Sequence, residues 1–321
     1  MKRVLSGIQS SGSLHLGNYF GMMERMIKYQ DSNDLYCFIA NYHALTVLPN
    51  AGDLNKNTYN AVCDFLALGL DPNKCTFWVQ SDVPQVTELT WILTSLVNRG
   101  LLDRATSFKD KVAKGLSPNM GLYSYPILMA ADILLFNSEL VPVGNDQKQH
   151  LEMTREIANR FNHQFEEVFI IPKEDIDEKT KLVPGIDGQK MSKSYNNIIP
   201  IFDDSKIIKK KVMRIKTDTT EINKPKSINT PLFQIYSLFL DSTEKKDLKL
   251  RFETPGMRYG DVKLELFNRI MDYFGPYRIK REHFFNNPAH VKDIMDMGAK
   301  KAQNSANEVL EKVRTATGIS F

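Results

Sequence analysis

Short runs rich in β-branched and aromatic residues alternate with longer helical patterns over the first two-thirds of the chain. The short runs are VLSGI, LYCFIAN, TFWVQS, LVPV and VFIIP, and segments such as GNYFGMMERMIKYQ and LNKNTYNAVCDFLALGL separate them. This alternation is typical of βαβ units, in which helices cover both faces of a parallel sheet. We therefore predict an α/β fold whose ligands bind at the carboxyl ends of the strands.

After about Val183 the pattern changes to a loop rich in Gly, Lys and Ser, followed by lysine-rich helical sequence. A second, mostly helical domain is predicted to begin there. The last stretch, HVKDIMDMGAKKAQNSANEVLEKVRTATGI, predicts one or two amphipathic helices that dock back on the first domain. We place the three segments at residues 1–184, 185–285 and 286–321.

One carboxylate interrupts the most apolar segment of the chain. The stretch YPILMAADILLFN predicts a buried helix, yet Asp132 lies in its middle. An ionised side chain there costs several kcal/mol unless a partner binds it. The residues alone leave two explanations open: a structural Asp bonded to a backbone donor or Arg, or an Asp that binds a ligand.

Composition narrows the class of protein. The chain has 321 residues, is 42% hydrophobic and carries a net charge of only +4, which fits two globular domains and says little about polyanions. No apolar run approaches the roughly 18 residues of a membrane span, so we expect a cytoplasmic protein with no membrane partner. Cys37, Cys63 and Cys75 form no CxxC pair, which favours core positions over disulfides or a zinc site.

A glycine-containing turn follows the first predicted strand, in SGIQSSGSLHLGNYFG. Such a turn at a helix start offers backbone N–H groups to an anion, and phosphate is the natural ligand. His15 and Asn18, three positions apart, add side-chain donors on one face. A histidine in a loop can also be an ordinary surface residue.

The second candidate element is DGQKMSKSYNN, in which Lys190 and Lys193 flank Ser192. Two lysines in a polar loop could neutralise a triphosphate whose charge grows as pyrophosphate leaves. A solvated linker is the alternative.

Taken together, the two elements resemble those of a known family. His15 to Asn18 resemble the His-Ile-Gly-His signature of class I aminoacyl-tRNA synthetases, and Lys190 to Ser194 reproduce their Lys-Met-Ser-Lys-Ser signature. GIQSSGSLHLGNY, YPILMAADILLF and VPVGNDQKQHLEMTREIANRFN are similar to bacterial tryptophanyl-tRNA synthetases, over essentially the whole chain. The resemblance implies a Rossmann-like catalytic domain, with residues 185–285 binding the tRNA anticodon.

The resemblance also implies a nucleotide site. His15, Asn18, Lys190 and Lys193 would be catalytic. Ser10 and Asn145 depart from relatives that carry Pro and Glu, which puts only the detailed nucleotide contacts in doubt. The implied ATP-binding residues are Gln9, Ser10, Ser11, Gly17 and Asn18 for the phosphates, Gly144, Asn145 and Asp146 for ribose and adenine, Leu182 or Val183 for adenine, and Lys190, Met191, Ser192, Lys193 and Ser194 over the triphosphate.

For tryptophan, the resemblance implies that Asp132 accepts a hydrogen bond from the indole N–H, which suits a ring with one donor and a large apolar surface. The other implied contacts are Met129, Val141 and Val143 as apolar walls, Tyr125 and Gln147 at the amino and carboxyl end, and His43 close by.

The implied reaction joins the tryptophan carboxylate to the α-phosphate of ATP and then transfers tryptophan to tRNA(Trp). ATP would bring Mg²⁺, with no tightly bound protein metal site, and the enzyme would be a homodimer. The segment from Lys206 to Asp218, KIIKKKVMRIKTD, has six basic residues in eleven positions and would attract tRNA phosphates, unless it is simply a solvated helix.

Three other functions stay open at this point. A tyrosyl-tRNA synthetase shares both signatures, and a carboxylate such as Asp132 also accepts from a phenol. A nucleotidylyltransferase has a related phosphate loop but is not expected to carry the lysine signature. A non-catalytic tRNA-binding paralogue would have no need of Lys190 and Lys193.

Overall fold

The computed structural model describes residues 1–9, 12–113, 115–144, 147–175 and 182–320. For residue 107, within the second range, it describes the backbone alone. Ser10, Ser11, Asn145 and Asp146, four residues predicted to bind ATP, lie outside the described residues.

Five parallel strands form one sheet in the order β3-β2-β1-β4-β5, which confirms the predicted α/β class. The chain moves outward on one side from β1 to β3 and then crosses to the other side of β1 for β4. Ligands of such sheets bind at this reversal, beyond the carboxyl ends of the strands. The strands are β1 (Arg3–Ile8), β2 (Asp34–Ile39), β3 (Thr76–Val79), β4 (Leu140–Pro142) and β5 (Lys173–Asp175).

The predicted strand VFIIP, residues 168–172, was wrong, because β5 begins only at Lys173. The side chain of Asn162 accepts from the backbone N–H groups of Val168 and Phe169, at 3.1 and 2.9 Å, and donates to the Phe169 carbonyl at 2.8 Å. These groups are therefore not available to a strand ladder. Pro172 has no N–H to donate, and the strand starts directly after it.

Helices account for most of the remaining described chain. A π-helix, Tyr19–Met23, links α1 to α2, and 3₁₀ turns lie at Leu45–Val47, Gln80–Asp82, Lys193–Tyr195 and Ser237–Phe239. The α-helices are α1 (Leu16–Asn18), α2 (Glu24–Tyr29), α3 (Asn41–Ala44), α4 (Ala51–Ala67), α5 (Gln85–Thr94), α6 (Arg99–Asp103), α7 (Thr106–Ala113), α8 (Met120–Leu134), α9 (Lys148–Gln164), α10 (Ser205–Met213), α11 (Pro231–Tyr236), α12 (Ser242–Glu253), α13 (Tyr259–Phe285) and α14 (Pro288–Thr317).

The chain divides into two compact units. The first comprises Met1–Ser11, Met26–Glu178 and Phe284–Phe321, and it contains the whole sheet. Its core includes Trp78, which is stacked on Phe38 and lies 4.8 Å from Phe136 between ring centroids. The second comprises Gly12–Arg25 and Lys179–His283.

The predicted C-terminal amphipathic sequence is one helix, α14, and it packs on β3 and α5 within the first unit. Gly298 allows this close approach, because a Cβ there would lie 1.7 Å from the carbonyl oxygen of Phe77. Side chains at this position would push the helix away from the sheet.

The second unit has an aromatic core. Edge-to-face contacts join Tyr19 to Phe274 and Phe20 to Phe239, with ring centroids 5.1 and 5.0 Å apart. The turn and helix that follow β1 therefore belong, by packing, with the helical sequence after residue 178. Among the helices of the described chain, none combines the length and apolar character needed to cross a membrane.

Candidate active site

The buried carboxylate lies on one face of α8. Asn119 caps this helix by accepting from the backbone N–H of Leu122 at 2.8 Å. Tyr125, Met129 and Asp132 follow at spacings of four and three residues, which places them along the same face. Asp132 is 3% exposed, so its charge depends on protein partners.

Gln80 and His43 supply those partners. The Gln80 amide nitrogen donates to both Asp132 oxygens, at 2.8 and 2.9 Å, and His43 Nε2 lies 2.8 Å from Oδ2. Gln80 follows β3 directly and His43 follows β2 by four residues, so both side chains come from the carboxyl ends of adjacent strands. The fold therefore supplies the buried Asp132 carboxylate with the hydrogen-bonding partners that its charge requires.

Backbone contacts fix the orientation of Gln80. Its amide oxygen accepts from the Tyr42 N–H at 3.0 Å, so its nitrogen faces Asp132. Asn41 and Ser81 tie the same two loops together through bonds of 2.8 and 3.0 Å. The donors around Asp132 are thus held before any ligand arrives.

Burial raises the pKa of Asp132, and the hydrogen bonds from His43 and Gln80 oppose that rise. An ionised carboxylate offers about four lone-pair sites. Gln80 and His43 account for three contacts, which leaves acceptor capacity for one more donor.

Tyr125 belongs to a neighbouring polar pair. Its hydroxyl lies 2.6 Å from His150 Nε2, and its ring lies 6.2 Å from the His43 ring. The ammonium of Lys111 stands 4.0 Å from the centre of the Tyr125 ring, and burial lowers the pKa of Lys111.

The remaining residues predicted to contact tryptophan lie in the same unit. Val141, in β4, is buried in the core, and Met129 and Val143 are half-buried against that core. Gln147 is half-buried at the start of α9, where its backbone N–H donates to Gly144 O at 2.9 Å.

The two sequence signatures meet in the second unit. The backbone N–H of Leu16 donates to Ile199 O at 3.1 Å, and that of Ile201 donates to Leu14 O at 3.0 Å. Gly17 N–H donates to Met191 Sδ at 3.2 Å. Met191, a buried residue of the lysine signature, therefore packs against the first signature.

His15 is buried rather than on the surface. Burial, and next the positive charge of Lys193, lower its pKa to about 4. Its Nδ1 has no hydrogen-bond partner within the described part of the chain. His15 is thus a neutral imidazole at pH 7, and its backbone N–H donates to Asn18 Oδ1 at 3.2 Å.

The lysine loop, residues 183–197, is a compact turn. Lys190 is exposed and pairs with Pro184 in an antiparallel bridge, and Lys193 opens a 3₁₀ turn. Gly12 has φ +58°, and a Cβ there would lie 3.7 Å from Lys193 Nζ. Ser192 and Ser194 share a hydrogen bond of 2.8 Å between their hydroxyls.

The other residues predicted to bind nucleotide are spread over both units. Gln9 and Gly144 are exposed in the first unit. In the second unit, Leu182 is 70% exposed, whereas Val183 is buried and its carbonyl accepts from Met191 N–H at 2.9 Å.

Comparison with known proteins gives the family. Residues 1–275 match the family described as tRNA synthetases class I (W and Y). The tryptophan–tRNA ligase of Fusobacterium nucleatum subsp. nucleatum is 51% identical over 320 residues, covering 99% of this chain and 98% of that protein. The chain belongs to the class I tryptophan–tRNA ligases.

Solved structures of this ligase family agree. The tryptophanyl-tRNA synthetase of Campylobacter jejuni, complexed with ADP and tryptophan, superposes with a TM-score of 0.95 at 47% identity, covering 98% of this chain and 99% of that one. The Mycoplasma pneumoniae synthetase gives a TM-score of 0.84 at 32% identity, covering 100% and 98%. The resemblance inferred from the motifs is confirmed.

The lysines of the basic segment, Lys206 to Asp218, differ in their contacts. α10 buries Ile208 and Val212, and it exposes Lys206, Lys209 and Lys210. The ammonium of Lys211 instead donates to the backbone oxygen and the side-chain oxygen of Asn196, at 3.2 and 2.9 Å. Lys211 therefore supports the lysine loop, a role that its position in a run of lysines did not suggest.

Gln80, His150 and Lys111 were missed by the sequence reasoning. A Gln directly after a predicted strand is a weak signal, and the pairing with Asp132 spans 52 positions. Only the requirement for a buried donor near Asp132 could have prompted a search for it.

The lowered pKa of His15 predicts a pH effect on stability. The folded-state pKa of about 4 lies below the ordinary 6.5, so the folded state disfavours the protonated imidazole. The stability that depends on neutral His15 is complete above pH 6.5 and is lost as the pH falls towards 4.

We expect the melting temperature of the wild type to fall more between pH 7 and pH 5 than that of His15→Gln. Because the pKa of Asp132 is raised, Asp132 contributes a change in stability of the opposite sign as the pH falls. Wild type and His15→Gln both contain Asp132, so this contribution cancels when their melting temperatures are compared. Differential scanning calorimetry at both pH values measures the effect. Equal falls in the two proteins would contradict the assignment.

Proposed function

We propose that this ligase activates L-tryptophan with ATP, giving tryptophanyl-adenylate and pyrophosphate, and then transfers tryptophan to tRNA(Trp). The main support is the full-length similarity to tryptophan–tRNA ligases, which includes both intact signatures. The tyrosyl alternative has no comparable support, since the two related structures reported above are tryptophanyl synthetases at 47% and 32% identity.

The proposed chemistry needs no protein nucleophile. A carboxylate oxygen of tryptophan attacks the α-phosphorus of ATP, and the bond to the pyrophosphate oxygen breaks. Negative charge grows on the leaving pyrophosphate, and Lys190 and Lys193 stabilise it. Mg²⁺ accompanies ATP as part of the substrate.

The first signature supplies donors rather than a further cation. His15 is neutral at pH 7, so it acts by hydrogen bonding. The Asn18 side chain and the Gly17 backbone are the other proposed phosphate contacts, with Gln9, Ser10 and Ser11. Gly17 N–H must exchange Met191 Sδ for an oxygen to bind phosphate, and sulfur is a weak acceptor that is readily displaced.

For tryptophan, we propose that Asp132 accepts from the indole N–H through its remaining acceptor capacity. Met129, Val141 and Val143 form apolar walls, and Tyr125 and Gln147 hold the amino and carboxyl end. His43 and Gln80 keep the carboxylate oriented. For ATP, the adenine would contact Leu182 or Val183, and the ribose the segment Gly144, Asn145 and Asp146.

We also propose that the ligase is a cytoplasmic homodimer. Apolar side chains that a monomer would leave in water support self-association: Leu48, Trp91 and Met120 are 74%, 73% and 72% exposed. Asn119 donates to Thr46 O at 3.0 Å, which places the 3₁₀ turn Leu45–Val47 beside the start of α8. Light scattering at micromolar concentration measures the molar mass.

The function is tested by tryptophan-dependent exchange of labelled pyrophosphate into ATP. Lys193→Ala removes a charge that the transition state requires, so we expect adenylate formation to slow by an amount equivalent to roughly 2 to 4 kcal/mol. Tryptophan affinity should barely change. Lys206→Ala, which removes an exposed lysine of α10, is the control and should retain wild-type exchange. Near-normal exchange in Lys193→Ala would exclude the proposed role.

Asp132 is tested by two variants. A hydrogen bond to a charged group contributes about 1.5 to 3 kcal/mol, so Asp132→Ala should weaken tryptophan binding at least roughly tenfold. Asp132→Asn keeps one acceptor oxygen and should lose less. Discrimination against phenylalanine should fall with tryptophan affinity.

Both Asp132 variants are also expected to melt at lower temperature, because Gln80 and His43 lose a buried acceptor. Titration calorimetry with tryptophan separates the two roles. Unchanged tryptophan affinity beside a large drop in melting temperature would leave Asp132 with a structural role only.

The tRNA contact is tested with Lys206, Lys209 and Lys210 replaced together by Gln, leaving Lys211 in place because it supports the lysine loop. Counterion release predicts a salt dependence of tRNA affinity that is shallower by up to about 3 units of slope. Pyrophosphate exchange should be unaffected. The charge-matched control replaces Lys245, Lys246 and Lys249 of α12 with Gln. If the two triple variants have equal slopes, α10 has no special part in binding.

A further inference from the structure

Asn197 is a buried polar residue at the end of the lysine loop. It is 2% exposed, although the loop around it is polar and Lys190, Ser194 and Asn196 are exposed. A buried amide is costly unless its groups are hydrogen-bonded, so its partners indicate what it does.

Within the described part of the chain, the side chain of Asn197 makes three hydrogen bonds, all to atoms of the lysine loop. Its Nδ2 donates to Asp187 Oδ1 at 2.9 Å and to the Lys190 carbonyl at 3.0 Å. Its Oδ1 accepts from the Ser192 backbone N–H at 2.7 Å. One amide thus holds the backbone at a signature lysine and at the signature serine two residues later.

The backbone of Asn197 and a close glycine complete the arrangement. The Asn197 carbonyl accepts from Ile186 N–H at 2.9 Å. A Cβ at Gly185 would lie 2.3 Å from the Asn197 amide carbon and nitrogen, so only glycine permits the side chain to reach its partners. Asn197 therefore occupies the centre of the loop, with Gly185, Ile186 and Asp187 on one side and Lys190 to Ser192 on the other.

We propose that Asn197 is the positioning residue of the lysine loop, and that its buried amide sets the backbone from which Lys190 and Lys193 reach the triphosphate. The proposal rests on the proposed function for the role of the lysines. The contacts within the loop do not depend on it.

The side-chain chemistry explains why an amide is needed. Two donors and one acceptor are used at once, and neither Asp nor a hydroxyl offers that set. The bond from Asn197 is the main cause that lowers the pKa of Asp187, so Asp187 is ionised at neutral pH and stays an acceptor.

The test uses the full-length protein with Asn197→Ala and Asn197→Asp. A misplaced loop should lower kcat for tryptophan-dependent pyrophosphate exchange by about 10- to 100-fold, the range expected when positioning is lost. Titration calorimetry should give an unchanged tryptophan Kd, because the Asp132 contacts involve no residue of this loop. Hydrogen exchange followed by mass spectrometry should show faster exchange in the peptide that contains Ser192.

Asn162→Asp is the matched control. Asn162 also holds a loop through one donated and two accepted backbone bonds, but that loop is residues 165–169 of the first unit. The Asn162→Asp variant should show faster hydrogen exchange in residues 165–169 and a near-normal kcat for pyrophosphate exchange. This separates loss of loop positioning from a general loss of stability.

A reciprocal change gives a second measurement. Asn197→Asp places a carboxylate against Asp187, and adding Asp187→Asn restores a donor opposite an acceptor. The double variant should recover part of the kcat lost by Asn197→Asp, even if Asn197→Ala fails to fold.

The proposal is overturned by kcat within twofold of wild type in Asn197→Asp, or by no gain in the double variant. Absence of exchange in the wild type would refute the proposed function instead, and hydrogen exchange at Ser192 would still decide whether Asn197 holds the loop.

Discussion

A carboxylate inside an apolar helix must find its donors elsewhere in the fold, because burial removes the water that would solvate its charge. Asp132 meets this requirement through Gln80 and His43, which lie at the ends of β3 and β2. Three segments distant in sequence are therefore brought to one point. The contacts that stabilise the buried Asp132 also leave it as a prearranged acceptor, so substitutions at this position are expected to lower stability as well as the proposed tryptophan affinity.

A second constraint operates where the two signatures meet. Residues 14–16 pair with residues 199–201, and Met191 packs on Gly17. The first signature follows β1 in sequence, yet it packs with the segment that carries the lysines. His15 to Asn18 and the lysine signature thus belong to one compact unit, whereas Gln9 belongs to the other, and Asn197 and Lys211 bond the lysine loop within its own unit. The backbone of the lysine loop is bonded both by the neutral, buried amide of Asn197 and by the charged ammonium of Lys211.

The pattern of α10 shows how a run of like residues can hold different roles. Six basic residues lie in the eleven positions from Lys206 to Lys216, four of them in α10, and this clustering suggested either attraction of tRNA phosphates or a solvated helix. The helix period turns Lys206, Lys209 and Lys210 to solvent, while Lys211 reaches Asn196. Charge composition therefore indicates a class of partner, and the helix geometry decides which lysines remain available to it.

By itself the sequence determined the parallel α/β class, the amphipathic helical character of the C-terminal stretch and the membership of the family, because alternating patterns and near-complete motifs are local properties. That the C-terminal stretch is one helix and not two was decided by the structure. It failed at VFIIP, where β propensity was strong but Asn162 had taken the backbone groups of Val168 and Phe169. It could not show that Gln80 would bind Asp132, that His15 would be buried and neutral, or that Asn197 would hold the lysine loop. The contacts of Gln80 and the burial of His15 involve residues far apart in sequence, whereas the Asn197 bonds span only five to ten positions. In each case the folded structure decides which donor meets which acceptor and how much water each group loses.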